Sequence, residues 1–213
     1  MVVSKRIEGA TTSDDQDDGG IQVLARAEIR HDRDLATRHM YGDPEAFDEV
    51  YERFSGMVFQ IARRMAGDPA LAEDLSQEIF LRIFKYLPKF KGKSSLKTWV
   101  YRVSLNCCRS RLGRRSRRGR AFVEIEDERF DQMPTPAEGT DARVKRREAS
   151  EVVGQALAQL PIKFREAVVL RDISGLAYDE IAVVLDVRLG TVRSRIARGR
   201  EGLRRILTEE GTK

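Results

Sequence analysis

Apolar residues recur along this chain at three- and four-residue steps, the spacing that lines one face of an α-helix. Phe47, Val50, Tyr51, Phe54, Val58, Ile61 and Met65 trace one core-facing stripe. Gly42-Asp43-Pro44 sets its start, with Asp43 as N-cap and Pro44 in the first helical position. Gly67-Asp68-Pro69 repeats the device and opens a helix carrying Leu71, Leu75, Ile79, Leu81, Ile83 and Phe84, which ends at Leu87 because Pro88 disfavours helix before it. A third helix starts near Ser94 or Ser95 and runs through Trp99, Val103 and Leu105 into an arginine-rich stretch. Val144 to Leu160 reads as helix up to Pro161; Phe164, Val168, Val169 and Leu170 resume the pattern, and short helices are expected at about 178–185 and 189–207. The β-branched residues sit at helical spacing, so the expected fold class is all-α.

The breaks in this pattern divide the chain. Residues 1–40 form an N-terminal extension: the first twenty, ending TTSDDQDDGG, read as a disordered tail, and Ile21 to Met40 are compatible with a polar helix. Residues 41–115 form one small helical domain and 144–208 another, leaving 209–213 as a C-terminal tail. Residues 116–143 lack periodicity, hold two prolines and segregate their charges, as a flexible linker does.

Charge distribution narrows the class of partner. Residues 85–120 contain thirteen Lys or Arg and no acid, whereas 121–141 contain seven acids and one base, Arg129. A solvated helix face mixes signs; a basic block suits a polyanion, because neutralising phosphates releases counterions. The composition, 41% hydrophobic and 34% charged over 213 residues, fits packed cores with a well-hydrated surface. No apolar run approaches the ~18 residues of a membrane span, and the start lacks a signal-peptide core, so a cytoplasmic location without membrane insertion is expected. Cys107 and Cys108 are the only cysteines, adjacent and without metal-ligand spacing; they read as two reduced thiols in a helix, and neither metal nor cofactor is expected.

The most informative motif runs from Tyr178 to Arg200. Tyr178 to Leu185 and Leu189 to Arg200 are two helical segments around Asp186-Val187-Arg188, the layout of a helix-turn-helix. On a helical wheel Val192, Ile196, Gly199 and Leu203 share one face; Ser194, Ala197, Arg198 and Glu201 point away, with Arg193 and Arg195 on the flanks. Such a face can enter a DNA major groove, with arginines gripping guanine or phosphate. An ordinary helical hairpin with a solvated basic face is the plainer alternative. Ala177 stands where Ser or Thr often caps such a helix and Asp186 where the turn often has Gly; Asp tolerates a left-handed backbone.

These residues, together with Gly42 to Phe47, Ala72 to Phe80, Phe90-Lys91-Gly92 and Leu96 to Asn106, resemble in order the extracytoplasmic-function sigma factors of the sigma-70 family. The resemblance covers roughly residues 41–115 and 148–208, about two-thirds of the chain. It implies two small domains, sigma region 2 and sigma region 4, in a protein that binds core RNA polymerase and directs it to promoters. It further implies that Asp74, Gln77, Glu78, Arg82 and Lys85 meet a coiled coil of the polymerase's largest subunit. The melted −10 strand would be held by Lys91, Lys93, Ser94, Lys97, Arg102, Asn106 and Arg109, and the −35 duplex read by Thr191, Arg193, Ser194, Arg195, Ala197 and Arg198. Trp99 is either core or a strand-separating wedge. An anti-sigma protein is a further implied partner, and His31 and His39 are expected to be solvated, outside both domains.

Two rival classes remain. A nuclease or recombinase would need clustered carboxylates for metal or a nucleophile with a basic partner. The carboxylates here fall on polar helix faces, in the acidic segment or in the tail, so no enzyme is expected. A stand-alone helix-turn-helix regulator would account for residues 178–207 and leave 68–115 without a task.

Overall fold

A computed structural model describes residues 17–118 and 151–210, with side chains placed over 26–114 and 151–209. The tail before residue 17, most of the linker, the beginning of the helix expected from Val144 and residues 211–213 lie outside the described residues. Every regular element among the described residues is helical: α1 (Asp17–Met40), α2 (Pro44–Ala66), α3 (Pro69–Tyr86) with a 3-10 turn (Leu87–Lys89), and α4 (Leu96–Arg118), followed by α5 (151–159), α6 (Ile162–Val168) with a π turn (Val169–Ile173), α7 (Tyr178–Leu185) and α8 (Leu189–Glu210).

The local chemistry at each helix end explains where it stops. Asp43 caps α2, its Oδ1 accepting from the Glu45 amide at 3.0 Å, while Arg38 donates to its Oδ2 at 2.7 Å. That guanidinium bond holds the Asp43 carboxyl below the usual carboxylate range. Gly67 closes α2 at φ 71°, a left-handed position that costs glycine nothing. Asp68 then caps α3 by accepting from the Leu71 amide at 2.8 Å. The short connection folds α3 back on α2, and α4 packs against both. Leu75, Ile79 and Ile83 of α3 meet Val50, Phe54, Val58 and Ile61 of α2 and Leu96, Val100 and Leu105 of α4 in one core. In the second unit α8 packs against α6 and α7.

Three sequence expectations are corrected. Tyr51, placed on a core-facing stripe, is 47% exposed, and Leu81 and Phe84, two of the apolar residues of α3, are 70% and 52% exposed. Leu71, Leu75, Ile79 and Ile83 already fill one stripe of α3 by four-residue steps, and Leu81 lies about 200° around the helix from Ile79. The histidines are not merely solvated: His31 Nε2 bonds Glu49 at 2.7 Å, and His39 donates to the Phe84 carbonyl at 3.0 Å with its ring against Phe84 and Phe47. α4 also continues through Arg118, three residues past the expected edge of its domain.

The largest addition to the sequence reading is α1, which is built into the first unit. Leu35 is fully buried, and so is Asp32, an acid. Asp32 Oδ2 accepts from the Leu96 amide at 2.6 Å, and Oδ1 accepts from Arg53 at 2.7 Å. A carboxylate on α1 therefore satisfies the first turn of α4, 64 residues away. Asp32→Ala is expected to destabilise the chain by roughly 1–3 kcal/mol, through the lost cap and the loss of one of the two carboxylates that Arg53 bonds. Asp32→Asn should cost less because it keeps an acceptor for Leu96, an order that urea denaturation of the two variants will check.

Candidate nucleic-acid and polymerase interface

α7, the turn Asp186-Val187-Arg188 and α8 form a helix-turn-helix. The Ala177 amide donates to Glu180 Oε2 at 2.7 Å, which leaves half of a capping box, since alanine has no oxygen to return the bond. Asp186 ends α7 at φ 54° and ψ 54°, and among the described residues it is the one non-glycine residue with positive φ. On α8, Val192, Ile196 and Gly199 are buried and Leu203 is half-buried. Gly199 permits the close approach of α6: a Cβ there would meet Val168 Cγ2 at 2.5 Å and the Phe164 carbonyl at 3.1 Å.

The opposite face of α8 is open. Arg193, Ser194, Ala197 and Arg198 are exposed, and Thr191 and Arg195 are half-buried on its flanks. Ser194 Oγ donates to the Thr191 carbonyl at 3.0 Å. Arg200, one step further round, is drawn back to Asp172 at 2.5 and 3.0 Å.

The residues expected to hold a melted strand fall into two groups. Lys91, Lys93 and Lys97 are exposed and Ser94 half-buried, in the 90–95 loop and the first turn of α4. Lys97 borders an open hollow of about 480 Å³ with Arg53, Tyr101 and Ser174. Arg102, Asn106 and Arg109 stand on one stripe of α4 by steps of four and three, and that stripe faces the second unit. Arg102 donates from Nε and Nη2 to the Val183 carbonyl at 3.2 and 2.6 Å. Arg109 embraces both oxygens of Glu166, with Nη2 at 2.9 Å, and donates to Asn106 Oδ1 at 2.8 Å. Trp99 is half-buried, packed on the core with its ring 5.8 Å from Phe90.

The residues expected to meet polymerase divide as well. Asp74 and Glu78 turn toward α4: Arg111 reaches Asp74 at 3.2 Å, and Glu78 bonds Arg82 at 2.6 Å with Arg114 at 3.6 Å. Gln77 and Lys85 are exposed, and between them the open face of α3 carries Leu81 and Phe84. Phe84 stacks edge-on against Phe47, and Tyr51 lies on Phe80. This exposed apolar strip is a candidate contact surface that sequence reasoning missed; the second apolar stripe on a helix with a complete core stripe was the available signal. Cys107 and Cys108 are buried free thiols whose pKa values burial pushes up to about 11 and about 12, so both stay protonated and unreactive near neutrality.

Comparison with known proteins decides the family. Residues 50–118 match the model for sigma-70 region 2, and residues 150–203 match that for sigma-70 region 4, together more than half of the chain. The chain belongs to the extracytoplasmic-function sigma factors. The RNA polymerase sigma-H factor of Pseudomonas aeruginosa is 34% identical over 180 residues, covering 83% of this chain and 93% of that relative. The sigma-E factor of Escherichia coli K12 is 33% identical over 178 residues, covering 81% and 92%. SigE of Mycolicibacterium smegmatis is 36% identical over 167 residues, covering 78% of this chain and 63% of its own. Among solved structures, CnrH in complex with the cytosolic domain of CnrY superposes with TM-score 0.58 at 25% identity, over 84% of this chain and 97% of that one. The sigma factor RpoE of Bartonella quintana, solved with the anti-sigma factor NepR, shares the fold with TM-score 0.58 at 23% identity, over 76% and 96%. α2 to α4 thus correspond to sigma region 2, and α5 to α8 to sigma region 4.

Two substitutions test the geometry of region 4. Asp186→Gly is expected to stabilise the protein by about 1 kcal/mol, by removing a side chain from a left-handed position. Gly199→Ala is expected to destabilise it by about 1–3 kcal/mol, since the new methyl overpacks the α6–α8 contact. Thermal denaturation followed by circular dichroism reads both signs.

Proposed function

We infer that this sigma factor binds core RNA polymerase and directs promoter-specific initiation. One observation carries the reading: a region 2 helical hairpin and a region 4 helix-turn-helix with an open basic face occur in the same chain. Neither part needs a metal or a nucleophile for that task, because promoter recognition is binding and strand capture rather than bond chemistry.

The finer assignments rest on the chemistry of each surface. On α8, Thr191, Arg193, Ser194, Arg195, Ala197 and Arg198 present a groove-sized face to the −35 duplex, with arginines suited to guanine edges and phosphates and Ala197 small enough to admit close approach. Lys91, Lys93, Ser94, Lys97, Arg102, Asn106 and Arg109 form the −10 set: cations for the backbone of the extruded strand and an amide able to donate and accept at a base. Asp74, Gln77, Glu78, Arg82 and Lys85, joined by Leu81 and Phe84, give α3 a polar rim around exposed apolar anchors, the composition of a helix that docks on the coiled coil of the polymerase's largest subunit. CnrH was solved bound to the cytosolic domain of another protein, a precedent for the anti-sigma partner we assign to this chain. A cytoplasmic site of action accords with these partners, and no described helix is long and apolar enough to cross a membrane.

A stand-alone regulator would bind a specific duplex by itself and ignore polymerase. The sigma reading expects the reverse: tight retention on core polymerase and weak binding to isolated promoter duplex at physiological salt, because two recognition surfaces on separate units need the enzyme to fix their spacing. Pull-down with core enzyme and gel shift on promoter fragments decide between them. Arg198→Ala should weaken −35 recognition by about 1–3 kcal/mol at one base position while leaving the fold intact. Ile196→Ala, 2% exposed, should instead cost about 2–5 kcal/mol of stability and impair all promoters alike. Run-off transcription on point-mutated −35 templates, paired with melts, separates a reading residue from a packing one.

A further inference from the structure

α1 sorts its charges by face, and its basic face is left over once the helix has packed. From residue 26 onward the acids serve the contact with α2: Glu28 and Asp32 both accept from Arg53, and Asp34 attracts Arg38, which in turn reaches Asp43 and Glu49. Arg26, Arg30 and Arg33 follow one another by steps of four and three, so they stand in one stripe along the helix. All three are exposed, and none takes part in an ion pair among the described residues.

The stripe runs on into a second set of cations. α1 packs on the 3-10 turn Leu87–Lys89, and just beyond that turn Gly92 sits at φ 65°, a left-handed position. A Cβ at residue 92 would meet Cγ and Cδ of Arg33 at 2.7 and 2.5 Å, so the Arg33 stem crosses the loop backbone between Lys91 and Lys93. Both lysines are exposed, as is Lys89, and no acid occurs between residues 85 and 120 to interrupt them. From Arg33 to Arg26 the stripe extends about 10 Å at the helical rise, long enough to follow a backbone rather than to hold a single phosphate. α1 precedes residues 50–118, the part matched to sigma-70 region 2, so the stripe is a feature of this chain that the match does not account for.

We propose that α1 is part of the nucleic-acid surface: Arg33, Arg30 and Arg26 carry the strand gripped at Lys91 and Lys93 onward along the helix, binding its phosphates without reading its bases. This rests on the −10 assignment of the loop lysines given above. The strand assigned to the loop is already melted, so its continuation is single-stranded and flexible enough to bend from the loop onto α1. No Phe, Tyr or Trp lies between residues 26 and 33, so the stripe offers cations without a stacking platform. Contacts of that kind position a strand and add affinity, and they carry no sequence preference.

Three forms of the full chain test this: the wild type, a stripe variant with Arg26→Gln, Arg30→Gln and Arg33→Gln, and a loop variant with Lys91→Gln and Lys93→Gln. Fluorescence anisotropy with a labelled thymidine 20-mer, repeated across salt concentrations, counts the phosphates neutralised, since each adds about 0.7 to the slope of log affinity against log salt on a single strand. The stripe variant is expected to lose about 2 from that slope and the loop variant about 1.4, while any contribution of the α8 face is common to all three forms. An unchanged slope for the stripe variant beside a reduced one for the loop variant overturns the role of α1 and leaves the −10 assignment standing. Unchanged slopes for both overturn the two together. A loss confined to the stripe variant overturns the continuity of loop and helix, and the proposal with it. An equal loss on a 20-base-pair duplex overturns the single-strand reading in favour of a duplex contact. Circular dichroism melts keep misfolding apart from these results; if the triple variant melts early, Arg26→Gln with Arg30→Gln, both at exposed positions, should still lose about 1.4.

Discussion

Each helix leaves four amides at its start and four carbonyls at its end without internal partners, and in this chain the partners for several of those ends come from other helices. Asp32 of α1 supplies the start of α4; Arg165 of α6 supplies the ends of α2 and α5; Arg102 of α4 supplies the end of α7. A bond from a charged group contributes about 1.5–3 kcal/mol where a neutral one gives about 1, so these few contacts fix the order of helices more firmly than apolar packing, which has no direction. Arg165 shows the cost. Burial disfavours its charged form, and three carbonyls offset that within a space that water scarcely reaches. Its Nε is buried without a hydrogen-bond partner, so the loss of either helix end would leave the guanidinium still less satisfied.

Local signals were legible in the sequence. Both Gly-Asp-Pro devices bound helices where expected because a cap is decided by two or three neighbouring residues, and the wheel of α8 sorted Val192 and Ile196 from Arg193 and Arg198 because one helix's periodicity suffices for that. What could not be read is what depends on distant partners. Nothing near Asp32 indicates that it caps a helix 64 residues on, and nothing near Glu166 indicates an arginine 57 residues before it. Tyr51 went to the wrong side for a related reason: an apolar residue is expected inside until the position of every other helix shows that the inside is already full.

The candidate sites show the same division. α8 needs only its own turn and the α6 contact at Gly199 to present its face, so the exposure of Arg193, Ser194, Ala197 and Arg198, proposed for the −35 duplex, is a local matter that the wheel could show. The −10 set spans a loop and two turns of α4, and its members end in different environments: Lys91, Lys93 and Lys97 in solvent, Arg102 and Arg109 against region 4. Long-range attraction of a polyanion needs only the exposed lysines. Asn106, between Arg102 and Arg109, stays exposed.

That separation gives the basic block two roles rather than one. Phosphate attraction is graded and falls with salt, so on the proposed assignment the lysines left in solvent would steer the chain toward nucleic acid. The forked contact of an arginine is short-ranged and can be satisfied equally by a phosphate or a carboxylate, which is why a single buried acid on α6 suffices to occupy it. Interfaces between domains of one chain are modest, and this seam joins the guanidinium contacts of Arg102, Arg109 and Arg165 to a buried apolar cluster that runs on from one unit into the other. Separation would therefore re-expose apolar surface, and water could replace only the polar bonds that are lost.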